Sequence, residues 1–377
     1  MAAVEVRELT RGGEFRDFLG VVDQVYRDDP KYIRPLDFEV KSRITRSSPF
    51  FEHAEAAFFV AYRGGRCVGR CSAQIDHEHL RRHKDDTGFF GFLDTVDDAE
   101  VAKALLDAAR RWLGDRGMKR IRGPFSLNIN DETGCLVEGF DTPPMVMMPH
   151  HRSYQGELIE RAGFSRHKDL LAWRYQTKDV PTRVQKAHDE IEALPEVYSR
   201  PVDLKQVDRD VRLVMEVYND AWGDNWSFVP LTEHELVKLA KDMKLILDPA
   251  ITRIAYVRGE PAAMALAIPN LNEAIGDLGG RLFPTGAAKL LYRVKVKGIH
   301  SARLILLGIR KKFRAERKYA GLSLYLYCKL NDSGRRNGYT SGELGWTDEA
   351  NGPVNAGIKV MGGKVYKKYR VYEASLS

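Results

Sequence analysis

Three groups of residues in this 377-residue chain have the types and spacing to do chemistry. The first is a cationic stretch, Arg310 to Lys318, between the apolar run Leu304–Ile309 and an apolar segment of helical length that reaches Leu330. A strand, a basic turn and a helix N-terminus in that order make an anion site, because the first N–H groups of a helix lack partners and its dipole favours negative charge. A solvated basic turn would have the same residues. The second group is carboxylates. Glu343 opens a short strand through Trp346, and Asp131 and Glu132 lie in a polar loop with Asn128 and Asn130. A carboxylate can take a proton from an ammonium group, directly or through water, while backbone N–H groups stabilise an oxyanion. Each of these carboxylates also fits a plain hydrogen-bonding role. The third group is histidines. Asp76-His77-Glu78-His79-x3-His83 has metal-like spacing but sits among Arg81, Arg82, Lys84 and Asp85, so an exposed solvated loop and no metal site are expected. His150-His151 follow Met145–Met148, framed by Pro143, Pro144 and Pro149. That stretch reads either as a rigid lid whose methionines touch an apolar chain, with Met148 and His151 against substrate, or as core packing.

The elements that must position these groups follow from periodicity and turn signals. In the second half, the basic turn leads into a helix, then the strand at Glu343, a polar turn at Asn351, a helix and a Gly362-Gly363 stop. Asn351 suits a helix N-cap as well as a substrate contact. Before it come helices from Lys186 and Val211, a capping box at Thr232 and Glu235, two strands within Ile254–Ile268 turning at Gly259-Glu260-Pro261, and a loop over Asn270–Pro284. A basic strand, Val365–Glu373, closes the chain.

The first half runs from an amphipathic segment at Phe15–Tyr26 to a hairpin, Phe58–Ile75, hinged at Gly64-Gly65. A strand at Gly88–Thr95, a helix at Ala99–Gly117, a strand at Ile121–Phe125 and a helix at Tyr154–Arg161 complete it. Strand, helix, strand, helix therefore appears twice. The pattern predicts an α/β (α+β) chain of two domains, 1–180 and 181–377, each a mixed central sheet flanked by helices. Val180-Pro181 marks the break.

Composition is that of a folded globular protein, 44% hydrophobic and 29% charged. The net charge of +7 suits CoA phosphates, an anionic membrane or nucleic acid equally. No window approaches the roughly 18 apolar residues of a spanning helix, and the N-terminal stretch lacks the apolar core of a signal peptide. Four scattered cysteines argue against a disulfide framework. A cytoplasmic protein able to rest on the inner membrane is expected. Walker, zinc-finger and G-x-S-x-G patterns are absent, which argues against an NTPase, a zinc-finger reader and a serine hydrolase.

Ile309-x4-Arg314, the strand leading to Asn351, and the helix closing on Met361-Gly362-Gly363 resemble the GNAT family of acyl-CoA N-acyltransferases. The resemblance implies a pyrophosphate loop after the fourth strand and a fifth strand that opens to admit the thioester. Acyl-CoA would then be a co-substrate rather than a tightly bound cofactor, held at Ile309, Arg310, Arg314, Arg317, Lys318, Tyr319 and Gly321. The family's glycine-rich run is missing before Gly321, so Arg314, Arg317 or Lys318 would supply charge instead. Where the family places a tyrosine to protonate the leaving thiolate, this chain has Ile358; Tyr154, Tyr366 and Tyr369 are the substitutes.

Further motifs resemble one bacterial branch of that superfamily, which N-acylates long-chain bases. They are Pro49-Phe50-Phe51-Glu52-His53-Ala54, Gly69-Arg70, Gly123-Pro124-Phe125, Asn130-Asp131-Glu132-x-Gly134, Tyr218-Asn219-Asp220-Ala221-Trp222, Gly280-Arg281-Leu282-Phe283-Pro284 and Glu343-Leu344-Gly345-Trp346. This resemblance implies acyl transfer from long-chain acyl-CoA to the amine of a sphingoid base, 3-oxosphinganine or sphinganine, entering between the halves. Glu343 or Glu132 would be the base, Asn351 and Tyr154 would assist, and Asn130, Asp131, Met148, His151 and Trp346 would contact substrate. No nucleic-acid partner is expected. The alternatives are another amine, such as an amino acid or a peptidoglycan peptide, and a non-catalytic lipid- or RNA-binding protein on a decayed transferase fold.

Overall fold

A computed structural model of the chain describes residues 2–9, 15–45 and 47–376. Residues 10–14, part of the N-terminal stretch read above, lie outside the described residues. In chain order the elements are β1 (Val4–Leu9), α1 (Arg16–Val25), α2 (Asp37–Ile44), β2 (Ala54–Arg63), β3 (Arg66–Asp76), α3 (His77–His83), β4 (Thr87–Thr95), α4 (Ala99–Gly114), β5 (Arg120–Gly123), β6 (Phe125–Ser126), β7 (Glu132–Thr133), β8 (Cys135–Glu138), α5 (Gln155–Arg161) and β9 (Ser165–Gln176). There follow α6 (Thr182–Glu192), β10 (Val197–Arg200), α7 (Val207–Trp222), α8 (Glu233–Ile246), β11 (Thr252–Val257), β12 (Glu260–Pro269), α9 (Asn272–Ile275), α10 (Gly286–Tyr292), β13 (Ser301–Ile309), α11 (Lys311–Arg314), α12 (Leu322–Arg336), β14 (Ser341–Asp348), α13 (Gly352–Met361) and β15 (Lys364–Ser375).

Two compact units result. The first holds residues 1–170, 275–290 and 367–377; the second holds 171–274 and 291–366. The division falls inside β9 rather than at the Val180-Pro181 step, because the later part of that strand pairs with β14.

In the first unit the strands run β1-β2-β3-β4-β5-β15. Every pair is antiparallel except β4 with β5. Gly64 and Gly65, both at positive φ, make the β2–β3 hairpin turn. α4 is fixed at its start by Asp98, whose carboxylate accepts from the N–H groups of Glu100 and Val101 at 3.0 and 3.3 Å. Its buried face, Val101, Leu105, Ala109 and Trp112, joins the core with Ala73, Phe90 and Leu93.

The expected solvated histidine loop is instead α3. Buried Asp76 caps it, accepting from Glu78 N at 3.0 Å and His79 N at 3.3 Å, and His79 is buried with Nε2 3.1 Å from Asp85. The charged residues that suggested a loop are this helix's outer face. Among the described residues no three His, Cys, Asp or Glu side chains gather as a metal site.

The second unit repeats the plan with β10-β11-β12-β13-β14 followed by β9. β13 and β14 form its parallel pair. Thr232 and Glu235 make the capping box of α8 as the sequence predicts. Between β12 and β13 the expected loop contains α9, and the helix after the basic turn extends past Leu330 to Arg336. The core gathers Trp173, Leu304, Tyr325, Leu326, Leu344 and Met361.

Each unit thus has one parallel pair that parts. In the first unit β4 and β5 share register only over Thr87–Phe89 and Arg120–Arg122, and the chain then fills the gap itself. Gln74 Nε2 donates to the Phe125 and Leu127 carbonyls at 2.6 and 2.9 Å. The Phe125 carbonyl lies 1.7 Å from where a Cβ on Gly91 would sit, so only glycine permits this approach. Gly91→Ala must therefore displace backbone. A loss of about 3 kcal/mol in urea unfolding is expected, at the upper end of overpacking costs.

Candidate active site

In the second unit the parting pair stays open. β13 and β14 pair from Ser301 with Ser341 to Leu304 with Leu344, and no partner follows on β13 beyond Leu304 or on β14 beyond Leu344 toward each other among the described residues. β13 remains paired with β12 to Ile309, through a bulge at residue 305 that turns it. The far end of β14 is held from its other side. Trp173 Nε1 donates to Thr347 Oγ1 at 2.8 Å, and Thr347 donates to Asn355 Oδ1 at 2.7 Å. Asn355 Nδ2 in turn donates to the Asp348 carbonyl at 3.0 Å. Gly345 has φ 127°, and a Cβ there would stand 2.9 Å from the Leu171 carbonyl, which accounts for glycine before the half-buried Trp346.

Glu343 sits one residue pair before the strands separate. Its side chain is 1% exposed. Opposite it in register is Arg303, and cross-strand partners share a face. Arg303 Nε lies 3.2 Å from Glu343 Oε1 and also donates to the Gly345 carbonyl at 3.2 Å. The phenol of Tyr366 donates to Glu343 Oε2 at 2.5 Å. The carboxylate is thus oriented by one cation and one proton-bearing group. Arg303 is the residue that sequence reasoning missed. Its signal was a lone cation third in an otherwise apolar strand, matching the acid third in the next.

Beside this group, where β13 and β14 are still joined, lies a narrow cavity of about 70 Å³. It is apolar along Ala267, Ala302, Leu304, Leu330 and Leu344, with Glu343 on its wall.

The basic turn divides into engaged and available cations. Lys311 pairs with Asp224 at 2.5 Å, and its N–H donates to Asp220 at 2.6 Å. Lys312 pairs with Glu260 and Lys318 with Glu196. Tyr319 is buried and donates to Glu196 at 3.2 Å. Ile309 is half-buried at the end of β13, and Arg310 donates to the Pro261 carbonyl at 3.4 Å while its buried Nε has no partner among the described residues. Arg314 and Arg317 are exposed. Gly321 precedes α12 at an ordinary φ of −81°, so left-handed backbone is not its purpose. A Cβ there would meet Ile191 at 3.1 Å and the Ala187 carbonyl at 3.2 Å, so this glycine lets α12 pack on α6. No side chain caps the N-terminus of α12. Its first N–H groups and the two free arginines form the anion site of this turn.

The remaining residues are placed as follows. Asn351 caps α13, accepting from Val354 N at 3.4 Å. Glu132 belongs to the first unit, 3.6 Å from Arg43. Asn130 N donates to Asn128 Oδ1 at 2.9 Å, and Asp131 N to the Asn128 carbonyl at 3.2 Å, so that loop closes on itself. Tyr154 and Tyr369 also lie in the first unit, which corrects the placing of Tyr154 beside Glu343: its phenol donates to the Thr95 carbonyl at 2.9 Å, and burial pushes its pKa up to about 12. Of the three tyrosines considered, Tyr366 is the one that touches Glu343.

Met148 and His151 are buried, and His151 Nδ1 accepts from Leu136 N at 3.1 Å. Burial lowers the His151 pKa to about 4, and that of His150 is also lowered despite Asp29 at 2.9 Å.

Two experiments check these placements. In the unfolded chain His151 takes a proton near the ordinary value of about 6.5. As pH falls from there toward 4, the unfolded state alone gains that proton, and the first unit loses about 3 kcal/mol. His151→Gln should flatten this pH dependence of urea unfolding. The Arg314→Ala, Arg317→Ala double variant should raise KM for acyl-CoA about tenfold or more with kcat little changed, as loss of charge-assisted hydrogen bonds in binding alone.

Comparison with known proteins completes the description. No family model matches the chain. It is 41% identical over 369 residues to the bacterial ceramide synthase of Caulobacter vibrioides (strain NA1000 / CB15N), spanning 96% of this chain and 95% of that one. It is 37% identical over 373 residues to protein YghO of Escherichia coli (strain K12), spanning 98% and 95%. Among solved structures, a tandem GNAT protein from the clavulanic acid biosynthesis pathway aligns over 100% of this chain and 99% of its own, with a TM-score of 0.59 and 12% identity. A GCN5-related N-acetyltransferase from Sphaerobacter thermophilus aligns over 99% and 96%, with a TM-score of 0.53 and 11% identity. At such identities these two speak for the fold.

Proposed function

The chain belongs to the bacterial ceramide synthase family of tandem GNAT-fold acyltransferases, and we propose that within it this acyl-CoA-dependent N-acyltransferase moves a long-chain acyl group to the amine of a sphingoid base. The acceptor, 3-oxosphinganine or sphinganine, is supported by the 41% identity to a ceramide synthase along nearly the whole chain. The chemistry is supported by one observation above the others: Glu343, buried beside Tyr366 where two strands part.

On this reading the donor's diphosphate lies at Arg314, Arg317 and the N-terminus of α12. The pantetheine arm enters the opening between β13 and β14, and the first methylenes of the acyl chain take the apolar cavity at Ala302 and Leu304. The acceptor arrives as an ammonium ion. Glu343 takes one proton, directly or through water, and the free amine attacks the thioester carbonyl. The tetrahedral oxyanion collapses by breaking the C–S bond. The leaving thiolate takes the phenol proton of Tyr366, which Glu343 replaces, so the proton lost by nitrogen reaches sulfur across the 2.5 Å contact. Arg303 keeps the carboxylate aimed throughout. Such a hydrophobic acceptor places the reaction at the cytoplasmic face of a membrane.

The test is turnover of palmitoyl-CoA with a sphingoid base, read by mass spectrometry. Glu343→Gln is expected to lower kcat/KM by about 10²–10⁴-fold, the range of general acid–base catalysis. That change also leaves Arg303 as an uncompensated buried cation, a cost of about 3–5 kcal/mol, so thermal unfolding must accompany it. Tyr366→Phe removes a proton and no charge, and should slow turnover about a hundredfold in a normally folded protein. Wild-type rates for Tyr366→Phe would exclude the relay.

A further inference from the structure

Between Leu278 and His300 the chain has five Lys or Arg and no Asp or Glu. Its middle is α10 continued by a wider π-type turn over Arg293–Lys297. One side of this helix is fastened. Leu290, Arg293 and Val294 are half-buried, and Arg293 donates to the Ala274 carbonyl at 2.8 Å. The other side carries large apolar residues in the open: Leu291 is 62% exposed, Tyr292 55% and Val296 68%. Tyr292 and Val296 are four apart and so share a face, with Leu291 adjoining. Lys289, Lys295 and Lys297 are exposed around it.

A helix anchored on one side ordinarily turns its apolar side chains inward. Here they are turned outward with a fringe of cations, and that combination has a physical partner. Apolar side chains enter the boundary between headgroups and acyl chains, tyrosine settles at that boundary, and lysines extend their stems to reach anionic headgroups. We propose that residues 289–297 dock this protein on an anionic lipid bilayer. Charge complementarity favours that occupant: a neutral surface would not need the lysines, and a small acidic ligand would not need Leu291, Tyr292 and Val296. This deepens the membrane placement made above and rests on it for biological sense, but it assigns no role in acyl transfer to the segment.

The experiment is flotation of the full chain with vesicles of equal parts phosphatidylglycerol and phosphatidylcholine, and with phosphatidylcholine alone. The wild type should float with the first and much less with the second, and added salt should weaken it. Lys295→Glu with Lys297→Glu should weaken binding by about tenfold or more, since each basic residue near such a surface contributes about fivefold. Leu291→Ser with Val296→Ser should do the same with all charges kept. All are exposed positions away from Glu343, so acyl transfer assayed in detergent should be unchanged, and failure of this inference and failure of the acceptor assignment appear in different assays. Equal flotation of the variants, no preference for the anionic vesicles, or binding of this segment to an acidic carrier protein in place of vesicles would overturn the proposal.

Discussion

Two parallel strands that hydrogen-bond for four residues and then separate govern the second unit. Backbone N–H and C=O groups demand partners, and a sheet opened in its middle leaves two inner edges without them. β12 satisfies the outer edge of β13, while Thr347, Asn355 and Trp173 fasten the far end of β14. The inner edges are left for a ligand that brings its own amides, which a pantetheine arm does. In the first unit the same opening is closed by the Phe125–Leu127 segment seated on Gly91. Two units of one plan therefore differ in whether the gap is filled by protein or left for substrate.

The ion pair at the head of that opening is a demanding arrangement. A buried carboxylate is tolerable when Coulomb attraction and hydrogen bonds offset its lost hydration, and Arg303 with Tyr366 supplies both. The pair adds little net stability against an apolar replacement of similar shape. Its retention in an otherwise apolar core is better understood through orientation, since a base must meet its proton at a fixed place.

Much of this fold was legible in the sequence because its signals are local. The Gly64-Gly65 hairpin, the Thr232–Glu235 capping box, and the order of strand, basic turn, helix, strand and Asn351-capped helix each depend on a few neighbouring residues. The α3 helix was missed because its defining feature, the buried cap Asp76, is outnumbered by the charges on its outer face. Within the site, the strand position of Glu343 could be read from its context, but its contacts could not. Arg303 and Tyr366 lie far from it in sequence, and only strand register brings the first opposite and the return of the chain brings the second alongside. The role of Gly321 was equally hidden, because close helix packing and a phosphate-binding turn both call for glycine.

The exchange of outer strands has a bearing on how the molecule is made. The first unit takes β15, from Lys367 onward, as the neighbour of β5 and β8, and Arg370 locks onto Asp169 at 2.9 Å. That strand is translated after every other strand described. Through nearly all of synthesis the first unit must wait on the ribosome with β5 as a bare sheet edge, the kind of surface that recruits chaperones or stray strands. The two units are therefore separate in architecture but not in biogenesis.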